Sequence, residues 1–461
     1  MKIIPLFQIA CVGPVTAFCA SLSTCLAQGT LTPPGPPGPT MVTLSQLEPR
    51  TPISTAPFTI YSAGSYYLTG NLYVSASTNA ITVNVGQVTI DLNGFGIFGQ
   101  TGGGCAIAVS NNIQNLIVRN GTIDFWGTAV QATSASSSTL EKLQCFQMLE
   151  NGLVIGGNSI VRDCTVLNPA EGGGGDGILT GDGTLVAGCT VLDNFNHFDY
   201  GIQVGRACTI DSSIITSNSV GVITGDGTTV KACNIMGNLG NGLETGSGCT
   251  ISDCTAWQNG SNGPGIPAIL TGPGSTITKC TVGENSVGIS ARLGSTIKEC
   301  TVISNATYGV ETGVGCTISD CTANYNTNGI AANSECTIIG CTASANYIDG
   351  IQATYSCLIK GNTCSSNSRY VTTGGAGIHV LFSGNRIEGN VLNSNQYGIK
   401  ADGTENFVIA NTARGSGSDN YDLISGNMVD TIINATASGA VLGSTGGTGL
   451  GTTDPWANFS F

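Results

Sequence analysis

Two short segments of the sequence place acidic side chains and a histidine close together. The segment NPAEGGGGD contains Glu171 and Asp176, and the segment NFNHFDY contains His197 and Asp199. Two carboxylates and an imidazole in one cleft can transfer protons to and from a glycosidic oxygen. We therefore take these four residues as the candidate catalytic set. Solvated loop residues, or a glycan contact without catalysis, would explain the same composition.

Aromatic residues adjoin these segments. Tyr200 ends the second segment, and Trp257 precedes a third segment, NGSNGP (259–264), by two residues. A fourth segment, NSRYVTTGGA, spans 367–376. All four lengthen a repeating pattern at the same place, and loops at one edge of a rigid scaffold commonly carry function. Because an aromatic ring can stack on the face of a sugar, we predict Tyr200 and Trp257 as substrate-binding residues.

The chain has 19 cysteines, and the heptapeptide CTISDCT occurs twice, at 249–255 and 316–322. Zinc sites need Cys pairs that converge with further Cys or His, and the chain has only two His. We therefore predict no metal site among the cysteines. Cysteine also packs as a small buried residue, which favours stacked free thiols, although neighbouring coils would also allow disulfides. We predict no cofactor, and calcium is the one ion that the acidic segments leave open.

Composition excludes several classes of protein. Of the 461 residues, 67 are Gly and 9% are charged, which argues against a coiled coil and against charged disorder. The net charge of −13 is spread thinly and includes no basic patch, so we predict no nucleic-acid partner. The few basic residues create no attractive field for an acidic polymer, which would need a local site.

The N-terminal part of the sequence differs from the rest. Lys2, a largely apolar stretch and the small residue Ala27 describe a secretory signal peptide at 1–27. A membrane anchor is the alternative, although Pro14 interrupts the apolar run. Residues 28–59, which include TPPGPPGPT, are predicted to form a Pro-rich extended spacer. We therefore expect an exported protein, whether secreted, periplasmic or on the cell surface, with no membrane span.

One pattern repeats along the remaining chain at intervals of about 22 residues. Each repeat has a Gly followed by an aliphatic residue, then a column of small residues, and an Asn five residues after that column. The marker glycines are Gly152, Gly177, Gly201, Gly221, Gly242, Gly265, Gly288, Gly309, Gly329, Gly350, Gly377 and Gly398. The column of small residues is Cys164, Cys189, Ser213, Cys233, Cys254, Cys280, Cys300, Cys321, Cys341, Asn362, Asn390 and Asn411.

The segments between these markers are short runs of β-forming residues separated by Gly, Asn, Asp and Ser. A repeat of this length cannot bury an apolar face alone, so successive repeats must stack. The pattern predicts an all-β fold, a single-stranded parallel β-helix of about 15 turns at 60–427, followed by a Gly/Thr-rich tail at 428–461. The L-x-x-L-x-L pattern of leucine-rich repeats is missing.

The segment VTIDLNGFGIFG (88–99) and the rhythm C-T-I-x-x-C-T-x-x-x-x-N resemble the secreted right-handed parallel β-helix proteins, the superfamily typified by pectate lyases. The resemblance covers about residues 60–425 and implies a right-handed solenoid. That scaffold hosts lyases, hydrolases, epimerases, esterases, adhesins and tailspikes, so it does not imply one activity. The motifs of polygalacturonase-like hydrolases and the D-P-H-E of mannuronan epimerases are missing from the sequence.

The absence of these motifs favours a non-catalytic function. We predict an exported surface or secreted protein that contacts extracellular polysaccharide, as a glycan-binding or structural protein. The alternative is a polysaccharide lyase or glycoside hydrolase acting at the loop edge near residues 168–200.

Overall fold

The computed structural model describes residues 49–75, 77–100, 103–167, 174–193, 200–368, 374–434 and 454–461. All strands of the described residues lie in one compact unit, Arg50–Phe461. Within the described ranges there is no helix, and every strand pair is parallel. The predicted all-β parallel β-helix is confirmed.

Each turn of the solenoid has three short strands that lie on three faces. In one turn, Tyr200–Val204 lies on face 1, Thr209–Asp211 on face 2 and Ile214–Thr216 on face 3. Each strand pairs in register with the equivalent strand of the next turn, so equivalent side chains stack along the axis. The three faces and the three corners between them therefore each carry columns of equivalent residues.

Seventeen strands stack on face 1 of the described chain. They are Phe58–Ile60, Ile81–Val83, Cys105–Val109, Thr128–Ala132, Leu153–Ile155, Ile178–Thr180, Tyr200–Val204, Val220–Thr224, Leu243–Thr245, Pro267–Thr271, Val287–Ala291, Tyr308–Thr312, Asn328–Ala332, Ile351–Ala353, Ala376–Val380, Tyr397–Ala401 and Tyr421–Leu423.

Faces 2 and 3 share two long strands that pass round the corner between them, Leu116–Asp124 and Thr139–Phe146. The other strands of face 2 are Thr51–Ile53, Gly64–Leu68, Val88–Asp91, Ile160–Arg162, Leu185–Ala187, Thr209–Asp211, Thr229–Lys231, Thr250–Ser252, Thr276–Thr278, Thr296–Lys298, Thr317–Ser319, Thr337–Ile339, Leu358–Lys360, Arg386–Glu388, Phe407–Ile409 and Met428–Val429.

The other strands of face 3 are Leu72–Val74, Gly96–Gly99, Thr165–Leu167, Thr190–Leu192, Ile214–Thr216, Asn234–Met236, Thr255–Trp257, Thr281–Gly283, Thr301–Ile303, Thr322–Asn324, Thr342–Ser344, Thr363–Ser365, Val391–Asn393, Thr412–Arg414, Asn458–Ser460 and Ile432–Asn434. A separate pair, Ile113–Gln114 and Ala135–Ser136, lies between faces 1 and 2.

The solenoid has about 17 turns where the sequence predicted about 15, with the predicted repeat near 22 residues. Strands also lie on both sides of the boundaries predicted at 60 and 427. Thr51–Ile53 pairs with Gly64–Leu68, and Ile53 and Ile60 are completely buried. The two turns beyond the predicted number contain Phe58–Ile60 and Tyr421–Leu423, neither of which follows a Gly-aliphatic marker.

A column of asparagines turns the chain from face 3 to face 1. The side-chain oxygen of Asn238 accepts two hydrogen bonds from Asn218, one from the backbone N–H at 2.9 Å and one from the side-chain NH2 at 3.1 Å. Asn259 does the same for Asn238. The series continues to Asn395. Because these buried amides bond to one another and to the backbone, the corner satisfies polar groups that water cannot reach.

The two cysteines of each CTISDCT segment lie at different corners. Cys249 belongs to the corner between faces 1 and 2, and Cys254 to the corner between faces 2 and 3. All sixteen cysteines in the described chain are free thiols, and all but Cys105 are buried. At such positions the sulfur can accept a backbone N–H from the preceding turn, as Cys208 does from Thr184 at 3.3 Å. Ser, Thr and Asn replace Cys in these columns because each also offers an acceptor.

Candidate functional site

Asp176 lies at the corner between faces 3 and 1, where its carboxylate contacts the backbone of the next turn. Its side chain is buried, and one carboxylate oxygen accepts the backbone N–H of Tyr200 at 3.1 Å. Its own N–H donates to the side-chain oxygen of Asn151 at 2.9 Å. The other three candidate catalytic residues, Glu171, His197 and Asp199, lie outside the described residues. Catalysis at this edge therefore stays a prediction.

Tyr200 and Trp257 lie on different faces. Tyr200 is the first residue of its face 1 strand, and Trp257 is the last residue of its face 3 strand. Both are half-buried. The indole of Trp257 lies against Gly283 of the next turn, because a Cβ atom built on Gly283 would be 2.3 Å from the Cζ3 atom of the indole.

Trp257 belongs to a longer outward-facing column on face 3. The column passes through eleven successive turns from Tyr73 to Ile303, and eight of its members are apolar. At about 4.8 Å a turn, it is roughly 50 Å long. We call its apolar members the apolar file: Tyr73, Phe98, Phe146, Leu167, Leu192, Met236, Trp257 and Ile303.

The apolar file is unusual for a sheet surface that faces water. Beyond Ile303 the same outward column is polar over the next five turns, with Asn324, Ser344, Ser365, Asn393 and Arg414. The two halves of the column have the same backbone geometry, so folding alone does not require apolar side chains in the first half. A contiguous, partly exposed apolar strip indicates a surface that contacts another molecule.

The aromatic members of the apolar file present large ring surfaces. Tyr73 is 63% exposed and stacks on Phe98, with 5.2 Å between ring centroids and 18° between ring planes. The indole of Trp257 is held in place by its contact with Gly283. Rings of this kind combine a broad apolar face with few rotatable bonds, so little conformational entropy is lost when they bind a ligand.

Asp124 is the one charged residue within the span of the apolar file. It pairs in register with Phe98 on one side and Phe146 on the other. One oxygen of its carboxylate is enclosed and has no hydrogen-bond partner. Burial raises the pKa of Asp124, and the N–H of Phe125 partly offsets this effect. Between Tyr73 and Ile303 the column therefore holds one acidic side chain and no basic side chain.

A second outward column on face 3 lies beside the apolar file, two residues earlier in each strand. It is rich in hydroxyl groups, which are half-buried or exposed. Its threonines are Thr122, Thr165, Thr190, Thr255, Thr281 and Thr301. Face 3 therefore presents an apolar strip next to a strip of hydrogen-bonding groups.

Sequence reasoning found Trp257 but missed the rest of the apolar file. The signal was available, because the file residue stands three positions after each column of small residues, as Leu167 follows Cys164 and Leu192 follows Cys189. Within the described ranges no group of three or more His, Cys, Asp or Glu side chains could hold a metal ion. Those ranges also contain no helix that is long and apolar enough to cross a membrane.

Comparisons with known proteins concern the fold. The A-module of mannuronan C-5 epimerase AlgE6 from Azotobacter vinelandii is 12% identical, with a TM-score of 0.33 over 80% of this chain and 91% of that chain. The periplasmic alginate epimerase AlgG is 11% identical, with a TM-score of 0.37 over 71% and 78%. The Dettilon tailspike protein is 15% identical, with a TM-score of 0.36 over 70% and 59%.

No curated protein sequence matches the chain. The family described as "Right handed beta helix region" matches residues 177–316 and 264–414, which together are more than half of the chain. The right-handed parallel β-helix predicted by resemblance is therefore confirmed. The chain belongs to the right-handed β-helix family.

Proposed function

We propose that this is an exported protein that binds extracellular polysaccharide along face 3, with the glycan lying on the apolar file. One observation carries the proposal: a single outward column holds eight apolar side chains over the eleven turns from Tyr73 to Ile303, and it is polar from Asn324 to Arg414. A ligand that uses this strip must be long and narrow. A polysaccharide chain has that shape.

The neighbouring columns of face 3 support a sugar as the ligand. A sugar ring has apolar C–H faces and a rim of hydroxyl groups, so it needs aromatic surface with hydrogen-bonding groups beside it. Phe146 and Trp257 supply aromatic surface, while Thr165 and Thr255 carry hydroxyl groups in the adjacent column. A protein or lipid partner would make less use of the threonine column.

The charge distribution favours a neutral glycan. The chain has a net charge of −13, and the basic residues are scattered. Within the span of the apolar file the outward column has one acid, Asp124, and no Lys or Arg. A uronic-acid polymer would meet no cation in this column to compensate its charge.

Export is part of this proposal and rests on the sequence of residues 1–27 alone. It places the protein outside the cytoplasm, whether secreted, periplasmic or on the surface, where polysaccharide is present. Sequencing the N-terminus of the protein from the extracellular or periplasmic fraction tests it. A protein that retains residues 1–27 and stays inside the cell would contradict export.

The binding proposal predicts large effects from single aromatic residues. Trp257→Ala and Tyr73→Ala should each raise the Kd for the polysaccharide that the wild type binds about tenfold, or by about 1.4 kcal/mol, since each variant removes a ring face. Affinity electrophoresis against neutral and uronic polysaccharides, followed by calorimetry on the one that binds, measures this. Ser344→Ala, in the polar half of the same column, is the matched control and should bind as the wild type does.

Three results would overturn the proposal. The first is that no polysaccharide of the panel binds, and the second is that both aromatic variants keep full affinity. New chain ends would show cleavage and replace the non-catalytic function by the lyase or hydrolase alternative. In that case loss of cleavage in the double variant His197→Ala, Asp199→Ala would place the chemistry in the predicted loops.

A further inference from the structure

Face 1 carries a cluster of charged side chains far along the solenoid from the start of the apolar file. Gln352, His379 and Lys400 are register partners in three successive turns and point outward. Asp349 precedes the first of these strands, and Asp402 follows the last. The cluster therefore spans three turns of one face.

His379 lies between two carboxylates. Its Nδ1 atom is 3.1 Å from a carboxylate oxygen of Asp349, and its Nε2 atom is 2.9 Å from a carboxylate oxygen of Asp402. Asp349 is 1% exposed and His379 is 9% exposed. Asp402 is more open to solvent and also pairs with Lys400 at 3.3 Å. A nearly buried imidazole is thus hydrogen-bonded at both ring nitrogens.

The buried carboxylate of Asp349 is itself held in place. One of its oxygens accepts the backbone N–H of Ala376 at 2.7 Å, and the other accepts the side-chain NH2 of Gln352 at 3.2 Å. The N–H of Asp349 donates to the side chain of Asn328 at 3.2 Å. Asp349 therefore links its own turn to the strand that carries His379.

This geometry requires a protonated imidazole. A carboxylate only accepts hydrogen bonds, so both ring nitrogens of His379 must donate, and only the imidazolium has two N–H groups. Burial lowers the pKa of His379, but the hydrogen bond and charge of Asp349 and the hydrogen bond of Asp402 outweigh burial. The positive charge of Lys400 opposes them, and the net result is a pKa above the ordinary value.

The cluster is better suited to holding turns together than to acid–base catalysis. Both nitrogens of His379 are engaged by carboxylates, which leaves neither free to accept a proton from a ligand. Gln352 is neutral, so among the residues that the structure describes the charged groups that face the imidazole are Asp349, Asp402 and Lys400. With an imidazolium these charges balance.

We propose that Asp349, His379 and Asp402 form a protonation-dependent clasp that joins three successive turns of face 1 and loosens as the pH rises. When His379 loses its proton, one of its two hydrogen bonds becomes a contact between a ring lone pair and a carboxylate. The charge balance of the cluster is lost in the same step. The turns that follow Asn328 in the chain, which carry Asp349, His379 and Asp402, then open locally more often.

The direction of the pH effect follows from linkage. His379 has a higher pKa in the folded chain than in the unfolded chain, so the folded chain holds the proton more tightly. The stabilisation is complete below the unfolded pKa, near 6.5, and is lost as the pH rises through the folded pKa. Each unit by which the two pKa values differ changes the local opening constant by about tenfold.

Hydrogen exchange tests the clasp. In the wild type, the protection factor of the Ala376 amide, which donates to Asp349, should fall as the pH rises above about 6.5. His379→Gln should show lower protection at pH 6 and no such fall. The sequence has only two histidines, so His197→Gln is the matched control and should behave as the wild type.

A second measurement covers the case in which His379→Gln does not fold. In the His197→Gln protein the one remaining imidazole is that of His379, and its proton resonance can be titrated directly. It should titrate above the ordinary value of about 6.5. Titration at or below that value, or an unchanged pH dependence of protection in a folded His379→Gln variant, would overturn the clasp.

Discussion

The contact between Trp257 and Gly283 shows how one missing side chain shapes the apolar file. Trp257 and Gly283 are register partners on face 3, and the indole occupies the space where a Cβ of residue 283 would lie. In the turns on either side, the same column holds Met236 and Ile303. Glycine at this one position lets a large ring lie against the sheet rather than project from it.

Adding a methyl group at Gly283 should therefore weaken glycan binding without unfolding the protein. Gly283→Ala should displace the indole and reduce polysaccharide affinity about three- to tenfold, since Trp257 can no longer present the same surface. Binding calorimetry and tryptophan fluorescence measure the two effects. Gly263→Ala is the control, because its nearest neighbour would be Ile266 Cδ1 at 3.9 Å. Equal affinity in wild type and Gly283→Ala would exclude Trp257 from the binding surface.

The site could be predicted only in part, for reasons seen in single residues. Trp257 stood out because tryptophan is rare and adjoins an insertion. Leu167 and Leu192 are ordinary residues that become part of a surface only when turns more than twenty residues apart are stacked. Asp176 was predicted to be catalytic, and that role stays a prediction. Its carboxylate also accepts the backbone N–H of Tyr200, a contact between turns that the sequence did not reveal.

At the scale of the elements, the place of a cysteine within its turn decides whether it makes hydrogen bonds at a corner or packs in the apolar core. Cys208 lies at a corner between Thr184 and Thr228, accepts the N–H of Thr184, and donates its own N–H to Thr228 at 3.4 Å. Cys364 lies inside face 3, between Ala343 and Leu392, and is completely buried. Burial raises the pKa of the Cys364 thiol, so it stays protonated.

These two cysteines should respond in opposite ways to the same substitutions. Cys208→Ala leaves the buried N–H of Thr184 without an acceptor and should cost about 1–3 kcal/mol, whereas Cys208→Ser keeps an acceptor and should cost less. At Cys364, Ala should be the better tolerated, because Ser places a hydroxyl in an apolar core. Urea unfolding of the four variants measures this. If the Ser and Ala variants rank in the same order of stability at both positions, Cys208 does not act as a hydrogen-bond acceptor at its corner.

The repeat predicted the corners well where one residue type recurs. The Asn column, which recurs at a fixed distance after the column of small residues, forms a continuous hydrogen-bonded stack from Asn218 to Asn395. The sequence did not separate the two corners occupied by cysteine, because Cys249 and Cys254 look equivalent in CTISDCT. Only the position of the intervening strand, Thr250–Ser252 on face 2, divides them.

At the scale of the whole solenoid, each turn contacts mainly its neighbours, so surface properties can change gradually along the axis. The outward column of face 3 is mainly apolar up to Ile303 and polar from Asn324 to Arg414. At the C-terminal end, Asn458–Ser460 lies between Thr412–Arg414 and Ile432–Asn434. The side chain of Asn458 accepts the backbone N–H of Asn411. Asn458 therefore extends the column of small residues at the corner between faces 2 and 3 beyond the repeats that the sequence revealed.

The dependence of affinity on oligosaccharide length tests most directly whether one elongated glycan binds along face 3. Calorimetry with a length series of the neutral polysaccharide that binds measures it. Because the apolar file is roughly 50 Å long, affinity should keep rising with chain length until the oligosaccharide spans that distance. Affinity that reaches its limit with two or three sugar units would show a single local subsite and contradict binding along the file.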